Sequence, residues 1–327
     1  MPPSRRAHLE GRLVVRGPGA LARALPDLPE RFTLLTTRRA AAQAPALAAR
    51  AERVVHVPRG LVEQVAGYLR EEVEGREMVA LGGGRVMDTG KALTAAVPGR
   101  RLVAVPTTLS GAEMTRIHRT ATGLPPGTPK ARAWMVVNDP FLSASAPIPA
   151  LAASSANALG HALTAAMADT ATPDIAALAH RAAGSLVRAW ADPEHPRRLD
   201  LAYGALDAAR AMDRTGLGLH HVGAQTLVRV LGMPHAEANA RVLGHSIAAL
   251  ATRAPERMTA LEDAAGDLAS VAALLGALGA RGPVESMAED LDRLVATALA
   301  RPQAGRTGPP PGDEEWRALY RAVLAGG

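Results

Sequence analysis

Cysteine is absent from the 327-residue chain, which removes disulfide staples, thiolate zinc sites, iron–sulfur ligation and a thiol nucleophile. Any catalytic metal must then be held by His, Asp, Glu or Asn. Aromatic residues make up only 2% of the chain, so base-stacking platforms and aromatic cages lack their building material. The core must be Ala, Leu and Val. Lysine is nearly absent, and the arginines that carry most of the +6 net charge are scattered along the chain, a distribution that does not suggest nucleic-acid binding. Long apolar runs are also missing: Ala150 to Ala153 and Val271 to Leu278 fall well short of the roughly 20 residues that cross a bilayer. Met1 to Gly11 carries Arg5, Arg6 and Glu10 and no apolar leader segment. These absences point to a soluble cytoplasmic protein with neither nucleic-acid nor membrane partners. What is present, 48% hydrophobic residues over a length suited to about two domains, is enough for sizeable cores.

The first half alternates short Val/Leu runs with helix-like stretches, the pattern of a parallel sheet with crossover helices. Strands are expected at Arg12 to Val15, Arg31 to Thr36, Arg53 to Val57, Met78 to Leu81, Arg101 to Val105 and Ala133 to Asn138, with helices at Ala20 to Leu25, Ala40 to Ala51, Leu61 to Glu74 and Val86 to Val97. After Pro149 the chain turns to long Ala/Leu-rich segments with 3.6-residue spacing, which predicts an all-helical second domain. Pro302 to Gly312 reads as a surface loop before a last short helix.

Two segments of the first half carry chemistry. Gly82-Gly83-Gly84-Arg85 lies between a buried strand and a helix start, where glycines let the backbone approach a pyrophosphate and free N–H groups meet its charge. An ordinary tight turn would read the same way. The next strand ends in Pro106-Thr107-Thr108-Leu109-Ser110-Gly111, and loops at the carboxyl ends of neighbouring strands are where open α/β sheets bind ligands. In the second half, Asn157 and His161 share a helical face, His221 and Gln225 repeat that spacing, and His235 opens another helix, with His245 ten residues on. Such a set could bind a metal or serve as a polar acid and hydrogen-bonding cluster.

In combination these residues resemble the iron-containing (group III) alcohol dehydrogenase superfamily, which has a dehydroquinate synthase-like fold. The resemblance rests on Gly82-Gly83-Gly84 with Asp88 and Lys91, and on Pro106-Thr107-Thr108 with Gly111, Glu113, Met114 and Thr115. Ser154 to Ala162, Leu219-His220-His221, Pro234-His235-Ala236-Glu237 and His56-Val57-Pro58 are similar to its maleylacetate reductase branch. The resemblance spans roughly residues 12 to 250. It implies a Rossmann-like dinucleotide domain over 1–148, an all-helical domain over 149–327, an active site in the cleft between them and a homodimer. It also implies an NADPH- or NADH-dependent reductase of a maleylacetate-like oxo acid or a related carbonyl or enone. Pyrophosphate would lie on Gly82, Gly83 and Gly84 with Asp88 and Lys91 nearby, the nicotinamide ribose at Thr107, Thr108 and Ser110, and the adenine ribose at Thr36 and Arg38. His161, His221, His235 and Asn157 are the implied catalytic set.

Three departures qualify the transfer. The family's metal-dependent members use one Asp and three His, and here Asn157 replaces the carboxylate; this neutral amide weakens attraction for a divalent cation, so no metal is expected. His161, His221 and His235 remain as a weak three-imidazole alternative. Arg85 stands where the family has Ser, and Gln225 where related enzymes have a proton-handling His. These changes keep open a recruited family member of a biosynthetic pathway, either a metal-dependent alcohol dehydrogenase or a catalyst of non-redox elimination or cyclisation.

Overall fold

Valine and leucine runs in the first half form a seven-stranded sheet in the computed structural model, which describes residues 5–326 apart from 285 and 288. The strands are β1 (Arg5–Leu9), β2 (Arg12–Arg16), β3 (Thr33–Thr36), β4 (Arg53–His56), β5 (Glu77–Gly82), β6 (Arg101–Pro106) and β7 (Met135–Asn138). Their order is β1-β2-β7-β6-β5-β3-β4, all parallel except the β1–β2 hairpin. Helices α1 (Ala20–Ala24), α2 (Arg38–Gln43), α3 (Pro45–Arg50), α4 (Val62–Glu72), α5 (Gly84–Ala96) and α6 (Pro140–Ser143) complete this part. Alternate strand residues serve opposite faces: Leu34, Val79, Leu81 and Val103 pack with Ala20, Ala24, Ala40 and Leu47, while Ala80 and Leu102 lie under Gly90 of α5.

Two local features differ from the sequence reading. The stretch expected as one helix over 40–51 is two, because Pro45 cannot donate to the preceding turn and starts α3 at its own first position after Ala44 leaves helical geometry. β1 is an added edge strand that the sequence reading did not anticipate; Glu10, at φ 47, and Gly11, at φ 76, make its turn into β2.

From Ala146 a second compact unit begins, the first ending at Ser145. It is built of α7 (Ile148–Met167), α8 (Pro173–Ala189), α9 (Arg198–Thr215), α10 (Leu219–Leu231), α11 (His235–Arg253), α12 (Pro255–Ala265), α13 (Leu268–Gly279), α14 (Asp290–Leu299) and α15 (Asp313–Ala325). Helix α7 has no Asp, Glu, Lys or Arg and is buried around nearly its whole circumference, as a predominantly apolar helix must be. Small residues let its neighbours approach: a Cβ on Gly279 would come within 2.9 Å of the Ala153 backbone. Among the described residues no helix is long and apolar enough to cross a membrane.

Candidate functional site

In the first unit, the loops leaving β5 and β6 are built against one another. The Thr107 N–H donates to the Gly82 carbonyl at 2.8 Å. A Cβ on Gly83 would lie 3.1 Å from the Thr108 methyl, and one on Gly84 3.2 Å from Ser110 Cβ. Glycine is therefore favoured there by the neighbouring loop, whatever is bound. Helix α5 starts at Gly84 with no side-chain cap and no acid in its first turn, so its leading N–H groups are available to an anion. Two buried polar atoms at this place have no partner, Thr108 Oγ1 and Arg85 Nε. Open N–H groups, an orphan hydroxyl and an orphan guanidinium nitrogen fit a phosphate-bearing cofactor. Thr36 is fully buried at the end of β3 with its hydroxyl on the Thr37 carbonyl, and Arg38 is exposed just beyond it.

Asp88 and Lys91 face elsewhere. Lys91 is buried, 2.8 Å from Asp88, and its ammonium donates to the carbonyls of Ala112 and Ile117 at 2.8 and 2.7 Å and to Thr115. These donors pin the loop that follows the two threonines. Glu113 is fully buried in the same loop; burial pushes its carboxyl up to about 7, against the pull of Lys91 and Arg12. His118 accepts from the Ala131 N–H through Nε2 and donates from Nδ1 to the Arg119 carbonyl, and burial lowers it to about 4.

In the second unit, His161 of α7 and His221 of α10 stack with ring centroids 4.7 Å apart, and His220 meets His221 edge-on at 5.0 Å. All three are buried. Burial holds His161 at about 3 and His220 at about 4, and drives His221 well below the ordinary imidazole value, each further depressed by the exposed His235. The three rings are therefore neutral at physiological pH. His161 Nδ1 and His221 Nε2 are buried without partners, while His221 Nδ1 lies 3.4 Å from Thr164 Oγ1. Asn157, one turn before His161, is also buried. His161 and His221 are thus brought together, with His235 close enough for its charge to reach them. Among the described residues no three His, Asp or Glu side chains form a group that could hold a metal.

Residues 151–303 match the model of the Fe-containing alcohol dehydrogenase family, C-terminal. Over 279 residues, 77% of each chain, the sequence is 32% identical to a maleylacetate reductase of Pseudomonas knackmussii. It is 31% identical over 315 residues to one of Sphingobium indicum, covering 88% of this chain and 89% of that one. The chain belongs to the iron-containing alcohol dehydrogenase family. The crystal structure of maleylacetate reductase from Rhizobium sp. strain MTP-10005 superposes with a TM-score of 0.80 at 26% identity, covering 100% of this chain and 99% of that one. An iron-containing alcohol dehydrogenase of Thermotoga maritima shares the fold at 20% identity, TM-score 0.82, covering 98% and 100%.

This family member is an oxidoreductase, and its helical unit holds a polar network that the sequence reading passed over. His220 Nε2 donates to Asn239 Oδ1 at 3.0 Å, which requires its Nδ1 to accept from Ser246 Oγ at 3.2 Å. Asn239 in turn donates to the His235 carbonyl at 2.8 Å, at the start of α11. A Cβ on Gly160 would lie 2.2 Å from the His220 ring. The doublet Leu219-His220-His221 was the only sequence signal for this, and a glycine beside His161 gave no hint of the ring it admits. Gln225 turns its amide oxygen to Arg301, which donates to it at 2.6 Å.

Proposed function

We propose that the chain is an NAD(P)H-dependent reductase of a maleylacetate-like oxo acid, or a related carbonyl or enone, acting without a metal. The observation that carries this reading is the stacked, neutral pair His161 and His221, each with an unpartnered buried nitrogen. A neutral imidazole N–H can donate to a substrate carbonyl oxygen or carboxylate and polarise it, and a dry site makes that hydrogen bond strong. The dinucleotide, when bound, supplies the hydride. Held neutral by burial, His161 and His221 are poor sources of the accompanying proton, whereas His235 is exposed and exchanges with water. We assign the proton to His235 or a water beside it. Asn157 in the carboxylate position of the metal-dependent members supports metal independence, since three imidazoles and an amide bring no negative charge.

In the first unit, Gly83, Gly84 and the α5 N–H groups are assigned to the pyrophosphate, and Thr107, Thr108 and Ser110 to the nicotinamide ribose. Lys91 acts on this site through the loop it pins. A homodimer in the cytoplasm is part of the proposal. Titration of metal-analysed protein with NADPH and NADH, followed by oxo acid reduction read from nicotinamide absorbance, tests it. Binding and turnover without stoichiometric metal are expected, unchanged by chelator. Failure to bind either nucleotide sinks the reading, and activity restored only by iron or zinc sinks its metal-independent form. The Gln225–Arg301 contact favours a second reading, a recruited member with altered chemistry, because an amide held by a guanidinium relays no proton.

A further inference from the structure

Arg85 is a residue of the β5 loop to which the assignments above give no specific partner. It follows Gly83-Gly84 out of β5, half-buried, with its Nε buried and unpartnered. Burial and the positive charge of Arg59 both disfavour its protonated form. Arg59 follows β4 and Arg38 and Arg39 follow β3, all exposed. β3 lies between β4 and β5, and Thr36 is in register with both His56 and Leu81, so the three strands end level with one another. Four guanidiniums thus leave three neighbouring strand ends, and none forms an ion pair with a carboxylate among the described residues. The segments Thr36 to Gln43, His56 to Leu61 and Gly82 to Met87 contain no acid.

We propose that Arg85 and Arg59, with Arg38 beside them, form a phosphomonoester site that reads the 2′-phosphate of NADP(H). This rests on the dinucleotide reading above and sharpens it to one cofactor. A half-buried cation facing another cation is costly unless an anion joins them. The pyrophosphate is not that anion, because each of its phosphates, held by one ester and one anhydride bond, carries a single charge and the open N–H groups of α5 already suit it. A phosphomonoester carries close to two charges and presents three oxygens to guanidinium forks. A cofactor without that phosphate offers a ribose hydroxyl instead, and these segments hold no carboxylate to accept from it.

Calorimetry with 2′-AMP, 5′-AMP and inorganic phosphate, together with NADPH and NADH titrations by nicotinamide fluorescence, tests the site on the intact chain. The 2′-phosphate is expected to tighten binding by about tenfold or more in both pairs, in keeping with charge-assisted hydrogen bonds. Arg59→Ser should remove most of that preference while leaving 5′-AMP and NADH within about twofold, and Arg85→Ser should remove it as well. Arg59 is exposed, so its replacement spares the fold even if that of Arg85 does not. Equal affinity for 2′- and 5′-AMP, or a preference that survives both substitutions, overturns the proposal, as does inorganic phosphate binding as tightly as 2′-AMP. Oxo acid reduction with equal use of NADH and NADPH overturns this site and keeps the reductase. A 2′-phosphate preference in a protein that reduces no oxo acid does the reverse.

Discussion

The two units handle buried polar groups with opposite electrostatics. At the strand ends of the first, arginines stand half-buried or exposed without carboxylates, and one buried acid, Glu113, is pushed towards its neutral form. Inside the helices of the second, three imidazoles are stripped of charge by burial and satisfied in part by neighbouring hydroxyl and amide groups. The first arrangement suits a ligand that brings negative charge, and the second suits one whose carbonyl must be polarised in a dry place. The difference also separates how each is built: backbone loops against loops in one, side chains through the gap left by a glycine in the other.

Gly160→Ala attacks that gap and should have the largest effect. The added Cβ would lie 2.2 Å from the His220 ring, far inside van der Waals contact, so the ring must move and break its bonds to Asn239 and Ser246. Overpacking together with lost buried hydrogen bonds predicts a loss of about 3 kcal/mol in urea unfolding, with oxo acid reduction abolished. A variant of unchanged stability would mean that His220 does not fill that space. In the other unit, Lys91→Met keeps the volume and removes the donors to Ala112, Thr115 and Ile117. About 2 kcal/mol should be lost, since hydrogen bonds from a charged group exceed the ordinary kind. NADPH affinity should fall with it as the loop behind the threonines loosens. Intact affinity would show that the pinned loop does not shape the cofactor site.

The same contrast explains what was legible in the sequence. The parallel sheet and the loops at its strand ends could be read from contiguous strings, because a strand, its glycine turn and the next helix are local. Lys91 was legible as a motif member but not in its role, since the loop acceptors it pins lie 21 to 26 residues away and only the folded loop brings them to its ammonium. His161 and His221 were found from spacing along two helices, yet their stacking depends on how α7 and α10 pack, which periodicity does not encode. His220 was missed because a doublet on a helix points to two faces and a sequence does not say which is core. The break at Ala44 was missed because Pro45 starts a helix as readily as it ends one.

The gentlest way to sharpen the comparison is pH, because Glu113 of the first unit and His161 of the second should respond in opposite senses. For His161 the native value, about 3, lies below the ordinary 6.5. Its contribution is fully present above about 6.5 and is lost as pH falls towards 3, because the unfolded chain takes a proton that the native site refuses. For Glu113 the native value, about 7, lies above the ordinary 4.5. Its contribution is fully present below about 4.5 and is lost as pH rises to 7, because the native carboxyl keeps a proton that the unfolded chain releases. Between about pH 4.5 and 6.5 the two slopes oppose each other, each limited to about 1.4 kcal/mol per pH unit. Removing one should expose the other. Glu113→Gln should steepen the loss of stability towards acid and His161→Asn should flatten it, measured as the slope of urea unfolding free energy against pH. The slope is independent of any fixed cost the substitution itself imposes. If both variants keep the parent slope, the two groups titrate alike in folded and unfolded chain, and the electrostatic contrast between Glu113 and His161 fails.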